Sequence, residues 1–316
     1  MKCLSKWVLD DIICADSHTL TEFIKPNSVS LTVTSPPYRN AIDYEGHIED
    51  KSENYRGKKI WASLEEYLKD MREIFNQVFE VTIDGGYCAI VIGLEVVNTE
   101  IIPLPFYLAT ELLKEKKWKL REEIIWNKVT AGRNGAGNRF GVTVRNPYPC
   151  YYHANIMHEH ILVLSKGKPN PRIRKQEAID YLKKLPIDDL MKREIANSTW
   201  NIPDNTWNIA PIPPRMLAHP CPFPEQIPWR LIYLYTHPND TVLDPLNGSG
   251  QTTKVANYLG RHYIGVDIVQ EYVDLAKKRL KESPHLSNFL WVKEWGSAKK
   301  WSLKPNSEQT ELSRLQ

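Results

Sequence analysis

The chain has 316 residues, is 42% hydrophobic and 25% charged, and carries a formal net charge of +3. That length suits one large domain with an inserted lobe, or two domains. No apolar run reaches membrane-spanning length and Met1-Lys2-Cys3-Leu4-Ser5-Lys6 lacks the apolar core of a signal peptide, so a cytoplasmic protein is expected.

In chain order, Asp11 to Ala15 is a short apolar run that ends at Asp16. A helix is expected from Thr19 to Ile24, then a turn at Pro26-Asn27. A second apolar run, Val29 to Thr34, stops at Pro36-Pro37, which continue neither strand nor helix. Residues 62–80 carry Leu64, Tyr67, Leu68, Met71, Ile74, Phe75, Val78 and Phe79 at spacings of three and four, the pattern of an amphipathic helix. Gly85-Gly86 is expected to turn the chain into a buried strand, Tyr87 to Ile92. Pro105 to Lys114 reads as a helix, and Leu120 to Trp126 as a strand.

Thr130 to Arg145 holds four glycines and three arginines, too polar and too flexible for a core, and is expected to be a mobile loop. His160 to Leu164 resumes as a strand. Residues 166–215, rich in Pro, Asn, Lys and Arg, are expected to form the inserted lobe, with 1–165 and 216–285 as the two parts of one α/β domain and 286–316 as an extension. From Trp229 the pattern returns: helix to Tyr235, strand Thr241 to Leu243, helix Gln251 to Leu259, strand Tyr263 to Val266, helix Gln270 to Lys281. Short strands alternating with helices argue for a mostly parallel, doubly wound sheet covered on both faces.

Five scattered cysteines, none in a C-x-x-C pair, indicate neither a disulfide framework nor a zinc ribbon. His153, His158, His160 and Cys150 lack a second pair at ligand spacing, so no metal is expected. Trp200 and Trp207 read as packing residues of the lobe. Lys166 to Lys175 holds five basic residues and no acidic one, which fits either a solvated loop or a phosphate-binding surface.

Val242 to Gly250 (VLDPLNGSG) is a strand running into a glycine-bearing turn and a helix start. Glycine there lets backbone approach a ligand and turn sharply. A second strand ends at Gly265-Val266-Asp267, where an acid can hydrogen-bond ribose hydroxyls. The bland reading is a tight turn and a helix cap. With an acid at each strand end, a nucleoside pocket is the better reading.

Val33-Thr34-Ser35-Pro36-Pro37-Tyr38 also ends a strand. The prolines fix the Ser35 hydroxyl and the Pro36 carbonyl as directed acceptors, suited to an amino group whose lone pair is delocalised into a ring. Two acceptors can draw that nitrogen toward tetrahedral geometry without a covalent nucleophile. Tyr38 offers a face on which an extruded base can stack.

The two segments together resemble the amino-methyltransferases of DNA, with V-T-S-P-P-Y similar to their catalytic motif IV and D-P-L-N-G-S-G to their cofactor motif I. Catalytic motif first and cofactor motif last is the order of the β group, typical of restriction–modification systems. The resemblance covers about residues 8–285. It implies a circularly permuted, seven-stranded Rossmann-like fold with an inserted target-recognition lobe, S-adenosylmethionine as cofactor, and methylation of duplex DNA with base flipping. Ser in the first position of the tetrapeptide is the form of cytosine-N4 enzymes; adenine-N6 methylation on the same scaffold is the alternative, and a non-catalytic nucleotide-binding protein is the rival of another class. Ser35, Pro36, Pro37 and Tyr38 are the implied catalytic residues. Asp16, Pro222, Phe223, Asp244, Pro245, Asn247, Gly248, Ser249, Gly250, Thr252 and Asp267 are the implied cofactor residues. Pro222 and Phe223 belong to a segment, His219 to Pro224, similar to motif X, and Asp16 stands where motif III meets the adenine amino group. Ile124 to Lys128 and His158 to Leu162 resemble the paired late strands of the sheet. Leu246 departs from the family's usual Phe. Arg133, Arg139, Arg145, Lys166, Lys168, Arg172, Arg174 and Lys175 are the implied DNA contacts. A separately acting restriction endonuclease is the implied partner, with the chain a monomer or homodimer.

Overall fold

The computed structural model describes residues 7–37, 39, 61–97, 100–114, 117–128, 156, 158–168, 206–209, 212 and 222–284, with the pairs 293–294 and 297–298. Strand β1 (Asp11–Cys14) leads through a 3₁₀ turn, Ser17–Thr19, to the short helix α1 (Leu20–Phe23) and strand β2 (Val29–Thr34). Helix α2 (Leu64–Val81) precedes strand β3 (Thr82–Ile92), the hairpin β4 (Glu95–Val97) and β5 (Glu100–Ile102), helix α3 (Leu104–Leu113) and strand β6 (Trp118–Asn127). Then come β7 (His158–Lys166), β8 (Thr206–Asn208), α4 (Gln226–Tyr235), β9 (Thr241–Asp244), α5 (Gln251–Tyr258), β10 (His262–Asp267) and α6 (Gln270–Arg279). A two-residue pair, β11 (Lys293–Glu294) and β12 (Ser297–Ala298), lies beyond.

The main sheet has the order β1-β10-β9-β2-β3-β7-β6-β8. All neighbours pair in parallel except β3 with β7 and β7 with β6, so β7 alone runs against the rest. Seven strands make the doubly wound sheet expected from the alternation, and β8 adds a short eighth at one edge. Every residue of β2 is buried, as a central parallel strand covered on both faces requires. One face packs Cys88, Ile90 and Leu162 against α2 and α3; the other packs Leu31, Ala89 and Ile161 against α4 and α5.

Helix α2 begins where its cap is. The Ser63 side chain accepts from the Glu66 amide at 3.1 Å, and Glu66 accepts in turn from the Ala62 amide at 3.0 Å. Of the stripe read from the sequence, Tyr67, Met71, Ile74, Phe75 and Val78 are buried and Leu64, Leu68 and Phe79 half-buried, and Val81 extends it. Gly85-Gly86 differs from expectation. The strand runs straight through them with Gly85 at φ +80°, and the β2–β3 register shifts between Val29 and Leu31. The pair makes a bulge inside one long strand, because the ladder on either side outweighs the local turn preference.

The expected lobe at 166–215 is corrected at both ends. Lys166 is the last residue of β7, and Thr206–Asn208 return to the main sheet beside β6. Trp207 is buried and its ring lies under the Arg230 guanidinium at 5.3 Å, so it packs the sheet rather than a separate lobe. Trp200 and the loop 130–145 lie outside the described residues. Among the described residues no helix is long and apolar enough to cross a membrane.

Lys166 is also corrected as a DNA contact. Its ammonium donates to the carbonyls of Phe79 at 2.9 Å and Thr82 at 2.8 Å and to Asn27 Oδ1 at 2.9 Å, over the Phe79 ring. Three acceptors at the end of α2 use its three donors, and none is left for a phosphate. Lys166→Met keeps the apolar stem but strands those acceptors; unfolding free energy measured in urea is expected to drop by about 2–3 kcal/mol, with DNA affinity unchanged.

Candidate active site

In the sheet, β9 connects through α5 outward to β10, while β2 connects through α2 the other way to β3. Crossovers that diverge in this way open a crevice at the carboxyl ends of β9 and β2. Leu31 pairs with Val242 and Thr32 with Leu243, so the strand ends Thr34 and Asp244 lie on the same sheet edge. Ser35 and Pro37 are half-buried and Pro36 is buried at the exit of β2. Tyr38 lies outside the described residues.

The turn after β9 is shaped by glycine. Gly250 caps α5 at φ +78°, and a Cβ there would stand 2.7 Å from the Ala276 Cβ. Gly265 of β10 lets the Asn247 side chain lie against its backbone, since a Cβ would come within 2.9 Å of Asn247 Oδ1. The Asn247 amide donates to the Val266 carbonyl at 2.9 Å, which ties the turn to β10.

Each acid at the edge has a defined environment. Burial pushes the Asp244 carboxyl up to about 7, against the opposing pull of the Thr34 hydroxyl and the Leu246 amide. Burial likewise pushes Asp267 up to about 6, and the Gly248 amide at 2.7 Å and the Val269 amide at 3.0 Å hold it. Asp267 therefore brackets the turn through two backbone donors. Asp16 caps the 3₁₀ turn, accepting from the His18 amide at 3.0 Å. The neighbouring Ser17 hydroxyl donates to the Pro245 carbonyl, and the Ala15 amide to the Asp267 carbonyl at 3.0 Å. The segment around Asp16, the turn and the β10 end are thus bonded into one rim.

Thr252 has a different place from the one implied by the resemblance. It is fully buried, and its hydroxyl donates to the Val33 carbonyl at 3.0 Å, joining α5 to the strand that carries the tetrapeptide. Phe223 is buried, and its carbonyl accepts from Gln251 Nε2 at 2.7 Å, which pins the segment before α4 to the start of α5. Pro222 is half-buried beside it. Behind the turn, Glu225 holds both Lys254 at 3.1 Å and Arg279, which also donates to the Ser249 carbonyl. Leu246 packs against the core cluster of α2.

Three buried polar atoms of this turn have no hydrogen-bond partner among the described residues: Asn247 Nδ2, Ser249 Oγ and Gln251 Oε1. A donor, a hydroxyl and an acceptor buried together are costly unless a ligand completes them. This mixed set suits an amino-acid group that carries both an ammonium and a carboxylate. With acids along the same edge for a nucleoside, the residues present fit the methionyl and adenosyl ends of S-adenosylmethionine.

Reading from the sequence missed several of these parts. Gln251, Ser17 and Thr34 gain their roles only from neighbours distant in the chain. Arg39, directly after the tetrapeptide, sets its Nε 3.2 Å from the buried Glu95 of β4, a hairpin with no sequence signal strong enough to be read. Lys168 is exposed, but β7 runs antiparallel, so its end lies at the edge opposite the strand ends just described. It stands apart from the tetrapeptide for the same reason that Lys166 does. Arg133, Arg139, Arg145, Arg172, Arg174 and Lys175 lie outside the described residues. His160 sets Nδ1 2.6 Å from Glu123 and its ring edge on Phe106, a packing arrangement; His153 and Cys150 lie outside.

The raised acids give a pH signature. A folded-state pKa near 7 against an ordinary 3.8 means that the Asp244 contribution is fully present below about 4 and is lost as pH rises to about 7. Asp267 adds the same sign over a narrower window that ends near 6. Asp244→Asn is expected to flatten the fall in thermal midpoint of the ligand-free protein between pH 4 and pH 7, as followed by circular dichroism.

The family model described as DNA methylase, of the N6/N4 type, matches residues 29–278. The type II methyltransferase M.BglII of Bacillus subtilis is 30% identical over 289 residues, covering 89% of this chain and 71% of the relative. M.ScaI of Streptomyces caespitosus is 26% identical over 268 residues, 84% and 79% of the two chains. In structure, the DNA modification methylase TTHA0409 of Thermus thermophilus aligns with a TM-score of 0.60 at 25% identity, covering 85% of this chain and 93% of that one. That Thermus protein has also been solved complexed with S-adenosyl-L-methionine. A match spanning most of the chain shows that the chain belongs to the DNA methylase family, the S-adenosylmethionine-dependent enzymes that methylate the N6 amino group of adenine or the N4 amino group of cytosine.

Proposed function

We propose that the protein methylates the N4 amino group of cytosine at a specific site in duplex DNA, as the modification enzyme of a restriction–modification system. The observation that supports the site is the Thr252–Val33 hydrogen bond at 3.0 Å, which sets the tetrapeptide strand against the cofactor helix. Ser at position 35, where adenine enzymes usually carry Asp or Asn, supports the choice of cytosine.

S-adenosylmethionine supplies an electrophilic methyl group on a sulfonium. The chain's own residues bring the acceptor to it. Ser35 Oγ and the Pro36 carbonyl accept hydrogen bonds from the two N–H groups of the base's amino group, which localises the nitrogen lone pair away from the ring, and one of those protons passes to water once the nitrogen carries the methyl group. Pro36 and Pro37 cannot rotate about φ, so both acceptors are preorganised and need no rearrangement as charge develops. Tyr38 stacks on the extruded base and holds its plane. Asp16, Asp244 and Asp267 line the nucleoside side of the pocket. Pro222, Phe223, Pro245, Asn247, Gly248, Ser249 and Gly250 line the methionyl side, with Thr252 as a strut behind them.

Base extrusion requires a firm grip on the phosphates around the target. Arg133, Arg139, Arg145, Arg172, Arg174 and Lys175 are proposed for that grip. Lys166 is withdrawn, its ammonium being consumed inside the fold.

Two measurements test this reading. DNA methylated by the protein and digested to nucleosides is expected to yield N4-methylcytosine; N6-methyladenine alone would sink the choice of base. Tyr38→Ala is expected to lower kcat roughly 10- to 100-fold, the worth of one stacked base, with cofactor affinity retained, whereas Asp267→Ala is expected to do the reverse. Equal loss of cofactor affinity in both variants would contradict the division of roles.

A further inference from the structure

His18 sits between two carboxylates. Its Nδ1 is 2.7 Å from Asp16 Oδ1, and its Nε2 is 2.9 Å from Asp70 Oδ1 on α2. Asp70 Oδ2 accepts in turn from Trp61 Nε1 at 3.0 Å. A neutral imidazole donates from one nitrogen only, and an ionised carboxylate can only accept. Two carboxylate partners therefore require a proton on both ring nitrogens, and the ring is an imidazolium.

The groups facing the ring are Asp16 from its own turn, and Asp70 and Glu73 from α2; all three are acidic. The hydrogen bond that the ring donates to Asp70 is the largest influence and pushes the imidazole up to about 9, ahead of the opposing cost of burial and the further lift from Asp16. The turn that holds this arrangement is itself fixed to the cofactor pocket, through Ser17 to Pro245 and Ala15 to Asp267. Asp16 shares the rim with two other acids, Asp244 and Asp267, both raised by burial. The ring's Nδ1 bond holds the Asp16 carboxylate in one orientation on that rim.

We propose that His18, as an imidazolium clamped between Asp16 and Asp70, is a positioning residue for the cofactor: it keeps the Asp16 carboxylate turned to accept from the 6-amino group of the adenine. The proposal rests on the reading of Asp16 as the adenine-side acid. It assigns to α2, which follows the tetrapeptide in the chain, a part in holding the methyl donor.

The test compares two ligands by calorimetry on the intact protein: S-adenosylhomocysteine, and its analogue with unsubstituted purine, which lacks the 6-amino group. His18→Gln is expected to weaken S-adenosylhomocysteine about tenfold, the worth of one charge-assisted hydrogen bond, and to leave the purine analogue unchanged. In the wild type, the preference for the adenine ligand is expected to fall as pH rises through about 9, and in His18→Gln to be flat. Taking the ratio of the two affinities removes the titration of the ligand's own amino group. Asp70→Asn keeps the ring while removing one carboxylate charge, and is expected to move the fall toward lower pH. Unchanged affinity in His18→Gln, or equal weakening of both ligands, overturns the proposal. If Asp16→Asn also binds both ligands as the wild type does, the failure lies in the reading of Asp16; if Asp16→Asn loses the preference while His18→Gln keeps it, the failure lies with His18.

Discussion

A single buried hydroxyl carries much of this architecture. Thr252 Oγ1 reaches the Val33 carbonyl across the boundary between two strands whose sequences lie some two hundred residues apart. Taken alone, the prolines of the tetrapeptide make only a rigid exit from a strand. The chemistry proposed for it depends on β9 lying directly beside β2, with the glycine-bearing turn leaving the same edge. Strand pairing sets the spacing, and the threonine fixes the helix start against it.

The charges around the turn follow a consistent pattern. On the open side are carboxylates raised by desolvation and held by backbone amides. On the closed side, the almost fully buried Glu225 gathers Lys254 and Arg279, and Arg279 reaches the Ser249 carbonyl. A buried ion set of this kind gives little net stability compared with apolar packing, because desolvation offsets most of the attraction. Its value is positional: it locks α5, α6 and the segment before α4 to the turn without filling the pocket. The partnerless Asn247, Ser249 and Gln251 atoms are the counterpart on the ligand side.

Much of this was legible in the sequence, for definable reasons. The strands and α2 announce themselves by hydrophobic period, and the two strand-end segments by acids and glycines placed where a parallel sheet puts its ligands. The paired late strands appear as read, with Trp126 opposite Glu159 and Asn127 opposite His158. What failed depends on tertiary context. Gly85-Gly86 carries a turn signal that the ladder overrides. Lys166 looks like part of a basic run, but the reversal of β7 delivers it to the end of α2. The three-residue strands β4, β5 and β8 are too short to show a period at all. His18 between two aspartates could not be found, because Asp70 is a surface-type residue of an amphipathic helix until the fold brings it round.

The order of strands has a consequence for the making of the protein. On a ribosome β2 emerges early and β9 late, yet β9 is the neighbour that pairs with one edge of β2. Until residues 241–244 arrive, a strand buried at all six positions in the finished molecule presents an open hydrogen-bonding edge. β1 waits longer still, since its neighbour in the sheet is β10. A chain cut short before that point has the tetrapeptide but no place for a methyl donor, together with an apolar edge prone to self-association.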